Sequence, residues 1–371
     1  MTPSRDTESS TMDLDCLRNT ARRLMAEHQV PGLSIAVTSS SGLLHAEAFG
    51  SADLGTRRPM TTGTRFLWFS MSKIVTATAA LRLADDGRLD LDAPVRSVVP
   101  TFEARAGRAQ PRIRQLLNHT AGAGNPLPLR WVQPARRSAS TAQEKVTALL
   151  RQTRPTRPAG NVARYSNLGY LVLADAIANV TGESFENYVH RAVLEPVGMR
   201  NTGYVHDQAA ESATGYALLP RPLTPLLRAA LPAGIVGERH ERQLSLRPFT
   251  VVGAGYGGLI GDAPDAGRLL RLHLADGIID GQRILAADTA RSMREVRTPG
   301  KPFDLGLGWF RRPADRGVRP AFVEHWGTGC GFWNAMRIYP ELDLGIVVMA
   351  NTTRSYEHDA LMRSAVTAFS S

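Results

Sequence analysis

From Asp13 to His28 the apolar residues Leu14, Leu17, Ala21, Leu24 and Met25 recur at helical spacing, which predicts an amphipathic helix with one buried stripe. Pro31 ends it. The stretch GLSIAVTSSSGLLHAEAFG, Gly32 to Gly50, then reads as two strands joined around Ser39 to Gly42, a hairpin with a glycine-containing loop. In the middle of the chain the period changes. Met71 to Asp86 predicts a helix closed by Gly87, Leu168 to Thr181 another closed by Gly182, and Glu183 to Leu194 a third, with proline-rich loops between them. After about residue 245 strands return: GFWNAMRIYP and LGIVVMAN flank the turn Glu341 to Asp343 as a second hairpin. A last helix from about Tyr356 buries Leu361, Ala365, Val366 and Phe369.

Helix and strands at both ends with helices between predict an α+β fold. Its antiparallel β-sheet, flanked by N- and C-terminal helices, is assembled from residues 13–69 and 245–371, and an all-helical domain is inserted at 70–244. Residues 1–12 are polar and read as disordered. The Leu-, Pro- and Arg-rich segment 218–243 fits neither part; it suits a lid over a pocket, an amphipathic membrane contact or a plain surface excursion.

Composition narrows the function classes. A hydrophobic fraction of 43% with 21% charged residues is that of a folded globular protein. The net charge of +10 permits a nucleic-acid partner, but the arginines are spread along the chain with no basic stripe or reading motif, so none is expected. Cys16 and Cys330 match no metal spacing, and the nine histidines include no HExxH pair, so no metal or organic cofactor is implied. The N-terminus lacks the apolar core of a secretory signal, and no run of about 18 apolar residues occurs, so a cytoplasmic location without a transmembrane segment is expected. The oligomeric state is open.

The basic residues bring in chemistry. Of the 44, only three are lysines, and one of them, Lys73, follows Ser70 by three positions in FSMSK at the start of a predicted helix. At i and i+3 the two side chains share a face. The helix N-terminus favours an alkoxide at Ser70, and that field with burial lowers the pKa of Lys73, leaving a neutral amine beside a hydroxyl. Two further patterns supply company: RYSN, with Tyr165, Ser166 and Asn167 opening a helix, and HWGTGCGF, with His325, Trp326 and Gly327 in a strand followed by more glycines. A phenol can relay protons and an amide can hold a lysine and a substrate carbonyl. A strand edge beside the nucleophile can supply an oxyanion donor, here the N–H of Thr328. GAGYGG at 253–258 matches a dinucleotide motif but lacks a βαβ context, and no GxSxG nucleophile elbow exists.

In this order SxxK, YxN and HxG resemble the serine β-lactamase and penicillin-binding-protein superfamily, in its class C and esterase branch. The resemblance extends over LLNHTAG (116–122), GRLDLDAPV (87–95), EPVGMRNT (195–202), GYGGLIG (255–261) and LGLGW (305–309). It implies Ser70 as the acylated nucleophile, Lys73 as its base, and Tyr165 as the proton shuttle to the leaving group. It further implies Asn167 as an anchor for the acyl group and the Ser70 and Thr328 amides as oxyanion hole. Which of Lys73 and Tyr165 takes the first proton stays open. One departure matters: where the lactamases have Lys-Thr-Gly, this chain has His325-Trp326-Gly327. A neutral histidine removes a fixed cation, and bulky Trp326 stands where a small residue is usual. Both favour an esterase or amidase, with acyl transfer, β-lactamase or D-amino-acid peptidase activity as alternatives, and a catalytically silent binding module as a reading from another class. The substrate is then a small ester, amide or lactam. Arg354 is a candidate for carboxylate recognition or a solvated surface residue.

Overall fold

The computed structural model describes residues 5–104, 106–125, 131–135, 139–206 and 212–370. Helix α1, Arg5–His28, leads into strands β1 (Gly32–Thr38), β2 (Leu43–Asp53) and β3 (Arg58–Pro59). A single 3-10 turn, Phe69–Met71, opens helix α2, Ser72–Asp85. Helices α3 (Ala139–Gln152) and α4 (Asn167–Thr181) follow, then strands β4 (Gly215–Leu218), β5 (Val236–His240) and β6 (Gln243–Leu246). A short helix α5 (Ala254–Gly257) precedes α6 (Ala263–Leu274). Strands β7 (Asp304–Leu305), β8 (Phe310–Arg311), β9 (Val323–Gly329), β10 (Phe332–Tyr339) and β11 (Leu344–Ala350) and helix α7 (His358–Phe369) complete the chain.

The main sheet has eight strands in the order β7-β8-β9-β10-β11-β1-β2-β3, antiparallel throughout. Both predicted hairpins are in it. All seven residues of β11 are buried because helices cover both faces. Ile346 and Val348 pack with Leu17 and Leu24 of α1 and Leu361 of α7, whereas Val347 and Met349 face Leu269 and Leu270 of α6 and the helical half. Each such side chain withdrawn from water stabilises the fold by about 1.5–3 kcal/mol.

The structure differs from expectation in three places. Helix α1 begins at Arg5, inside the span read as disordered, because no glycine or proline interrupts the chain between Arg5 and Pro31 and acidic residues suit a helix start; residues 1–4 lie outside those described. The span 70–244 is not all-helical. Val132–Pro134 pairs with Phe249–Val251, and β4, β6 and β5 form a three-stranded sheet of their own. The third predicted helix is divided into Phe185–Val189, a π-helical turn His190–Leu194 and Glu195–Val197. Within 218–243, a short helix Thr224–Ala230 without buried residues projects from that small sheet, held by Arg239, which donates to Leu219 O (2.8 Å) and Thr224 Oγ1 (2.8 Å). Among the described residues no helix is long and apolar enough to cross a membrane.

Candidate active site

Ser70 sits in the 3-10 turn where the sheet gives way to α2, so its N–H belongs to a first turn without intrahelical acceptors. The turn is strained. Phe69 has φ +47°, a left-handed conformation a bulky residue rarely adopts, and it is kept there by its ring, packed against Phe249 and Phe332. Hydrogen bonds from Trp68 N to Leu259 O (2.8 Å) and Asn334 Nδ2 to Leu67 O (2.8 Å) fix the approach.

Strand β9 presses on this turn. A Cβ at Gly327 would stand 1.8 Å from the Trp68 carbonyl oxygen, and one at Gly329 2.2 Å from the Phe69 ring, so only glycine permits the approach. Register assigns the faces. His325 pairs with Met336 and Gly327 with Asn334, both on the nucleophile's side, while Trp326 pairs with Ala335 and Thr328 with Trp333, on the side of α7. Trp326 therefore packs against His358, Phe303 and Phe310, with the Arg312 guanidinium over its ring. The expectation that Trp326, like His325 and Gly327, contacts the substrate is corrected for Trp326 by the two-residue period of a strand. Thr328 is exposed, and its strand runs beside the nucleophile turn with its side chain directed away.

Lys73 is completely buried. Its Nζ lies 3.0 Å from Ser70 Oγ, 2.8 Å from Asn167 Oδ1 and 2.9 Å from the Tyr256 carbonyl oxygen. The rings of Tyr165, Tyr170 and Tyr256 surround it at 4.9, 5.6 and 5.5 Å. No carboxylate among the described residues pairs with it, and burial pushes its pKa well below the ordinary lysine value. The partners account for the protons of a neutral amine: two N–H bonds go to the carbonyl acceptors, and the lone pair is left for the Ser70 hydroxyl.

The Tyr165 hydroxyl shares a hydrogen bond with Ser70, and burial raises its pKa, so it rests as a neutral phenol. His119, from LLNHTAG, packs its ring tilted against Tyr165 at 4.6 Å and accepts from Ser166 N (3.1 Å). His325 donates from Nδ1 to its neighbour's carbonyl, Trp326 O (2.8 Å), which leaves Nε2 as the acceptor nitrogen. Burial lowers its pKa to about 3. His325 is neutral at any working pH.

Ser70, Lys73, Tyr165 and Asn167 thus come together, with His325 alongside and Gly327 closing the floor. Arg354 does not join them; it is exposed beyond β11. Sequence reading missed His119, Tyr170 and the Tyr256 carbonyl. The motifs LLNHTAG and GYGGLIG contained the first and last, but a main-chain acceptor has no residue-type signature. Among the described residues, Glu324, His358 and Asp359 have metal-compatible spacing, yet the carboxylates are taken by Arg337 and Arg312, which makes them a buried ion-pair network.

A family model described as Beta-lactamase matches residues 17–369. The chain is 28% identical over 381 residues to Esterase EstB of Burkholderia gladioli, covering 94% of this chain and 92% of that protein. It is 29% identical over 276 residues to Penicillin-binding protein 4 of Amycolatopsis lactamdurans, covering 73% and 67%. The solved structure of EstCE1, described as a hydrolase with promiscuous acyltransferase activity, superposes with a TM-score of 0.75 at 23% identity, covering 96% of this chain and 99% of that one; at this identity it speaks for the fold.

Proposed function

The chain belongs to the Beta-lactamase family, and from that premise we propose that it is a serine hydrolase that forms a covalent acyl-enzyme on Ser70 and cleaves small esters or amides. The observation that carries the reading is the buried Lys73 amine, without an anionic partner among the described residues, held 3.0 Å from Ser70 Oγ by two carbonyl oxygens. Lys73 takes the hydroxyl proton as Oγ bonds to the substrate carbonyl carbon. The oxyanion is received by the N–H groups of Ser70 and Thr328. As the bond to the leaving oxygen or nitrogen breaks, Tyr165 passes it a proton, replaced from the Lys73 ammonium. Water then repeats the sequence on the acyl carbon. Because Tyr165 rests as a phenol and Lys73 as an amine, the first base in this reading is Lys73.

Substrate class follows from His325. A neutral imidazole offers no fixed charge to a carboxylate, which favours uncharged acyl groups over penicillin-type acids. Esterase EstB, alignable over nearly the whole chain, supports the same choice.

Intact-mass measurement after incubation with a fluorophosphonate, beside turnover of a chromogenic short-chain ester and a chromogenic cephalosporin, tests the proposal. One adduct per chain, absent in Ser70→Ala, with the ester turned over at least a hundredfold faster than the cephalosporin, is expected. No adduct and no ester turnover would favour a silent binding module. Product partitioning that follows the concentration of an added alcohol would point to acyl transfer.

A further inference from the structure

Away from Ser70, a cavity of about 650 Å³ opens inside the helical half, and Ser70, Lys73 and Tyr165 are not part of its wall. We propose that it is a binding site for an organic ammonium ion with an apolar body, an alkyl- or arylalkyl-amine. Leu171 and Ala178 of α4, with Phe185 and Val251, give a hydrocarbon lining large enough for a molecule of that size. Among the described residues Asp175 and Glu186 are the carboxylates in the wall and no lysine or arginine lines it, although the chain as a whole carries +10. Among the described residues no ion pair reaches either carboxylate. Two half-buried carboxylates in a hydrocarbon wall, Asp175 also hydrogen-bonded to the Asn179 side chain, invite a cation that brings its own apolar surface, and a bare metal ion would leave that surface wet. The edge-to-face rings of Phe185 and Tyr204, 6.0 Å apart, add aromatic surface for an ammonium. His206 does not compete. Its Nε2 donates to Phe249 O (2.9 Å), its Nδ1 engages Ser212 Oγ, and burial lowers its pKa, keeping it neutral.

Isothermal titration of the full chain at pH 7 with 4-phenylbutylamine, and with 4-phenylbutanol as its uncharged counterpart, tests the site. The expected result is one amine per chain, bound at least tenfold more tightly than the alcohol. Asp175→Asn should weaken the amine about tenfold and leave the alcohol unchanged, and Ala178→Phe, which fills the cavity, should remove both. Equal affinities for amine and alcohol, absence of binding, or an Asp175→Asn variant indistinguishable from wild type would overturn the proposal. Should Ala178→Phe fail to fold, the amine-to-alcohol ratio and Asp175→Asn still decide. Binding lost on blocking Ser70 with a fluorophosphonate would place the amine in the catalytic cleft and refute the separate site. None of the other arms depends on the chemistry of Ser70, so failure of the hydrolase reading is seen separately, as failure to label.

Discussion

Gly327→Ala adds one methyl group to the strand that adjoins the nucleophile. In the present geometry that carbon would lie 1.8 Å from Trp68 O and 3.0 Å from Trp68 C. An ordinary contact needs roughly 3.4 Å, so strand and turn must separate by about 1.5 Å or the Trp68 carbonyl must rotate. Rotation would break the bond that Met71 N donates to Trp68 O at 3.2 Å, which closes the turn carrying Ser70. Either route moves the Thr328 N–H, the next amide along, relative to Ser70. Loss of one oxyanion donor costs about 100- to 1000-fold in kcat, and a misplacement near 1 Å costs about 100-fold. The expected outcome is a kcat down by about 100- to 1000-fold with KM changed little, and overpacking that destabilises by about 1–3 kcal/mol. Steady-state kinetics on a short-chain ester, with thermal unfolding alongside, checks both. Gly42→Ala is the control, since nothing lies within 4 Å of a Cβ there. A Gly327→Ala enzyme within fivefold of wild-type kcat would refute the reasoning, as would a lowered melting temperature with normal turnover per folded molecule.

Lys73→Met should lower kcat about 100- to 10,000-fold, and Lys73→Arg nearly as much, since a guanidinium cannot accept the proton; an arginine variant with most of its ester turnover would exclude Lys73 as the base. Lys73 also sets a stability slope. Its folded pKa is depressed, so the unfolded chain binds the extra proton and stability rises with pH toward the unfolded value of about 10.4. Urea titrations from pH 7 to 10 should show this rise in wild type and a flatter line in Lys73→Met. Tyr165→Phe should acylate and deacylate about 100-fold or more slowly in stopped-flow ester hydrolysis; unchanged rates would remove the shuttle. His273 is buried beside Trp309, and burial lowers its pKa to about 3. It is neutral when folded and protonates when unfolded, so its contribution is complete above about pH 6.5 and falls by about 2 kcal/mol by pH 5; His273→Leu should flatten that loss in urea titrations, and an unchanged slope would dismiss it.

The parts of the site legible in sequence were those whose chemistry lies in side chains at short spacing. Ser70 and Lys73 could be read from i and i+3, and the strands from their alternation and turn residues. The face of Trp326 was misread, although placing His325 toward the site commits its neighbour to the other side. His119 was not legible, since its role depends on a fold that brings residue 119 against residue 165. The extra turns of α1 and the small sheet around β6 escaped because a polar stretch carries no apolar period, and short strands carry too few alternations to register.

The third partner of Lys73 is a main-chain oxygen, and that has an evolutionary corollary. Substituting Tyr256 can reshape an aromatic wall, but no codon change at that position deletes the carbonyl. The pose of the amine is therefore buffered against point mutation and vulnerable to displacement of the segment as a body. That segment, α5, is pinned to α2 by the Thr76 hydroxyl, which donates to Gly255 O at 2.7 Å, and its other flank borders the carboxylate-bearing cavity. Pressure from that flank would be felt at the lysine as a change in how firmly its protons are held.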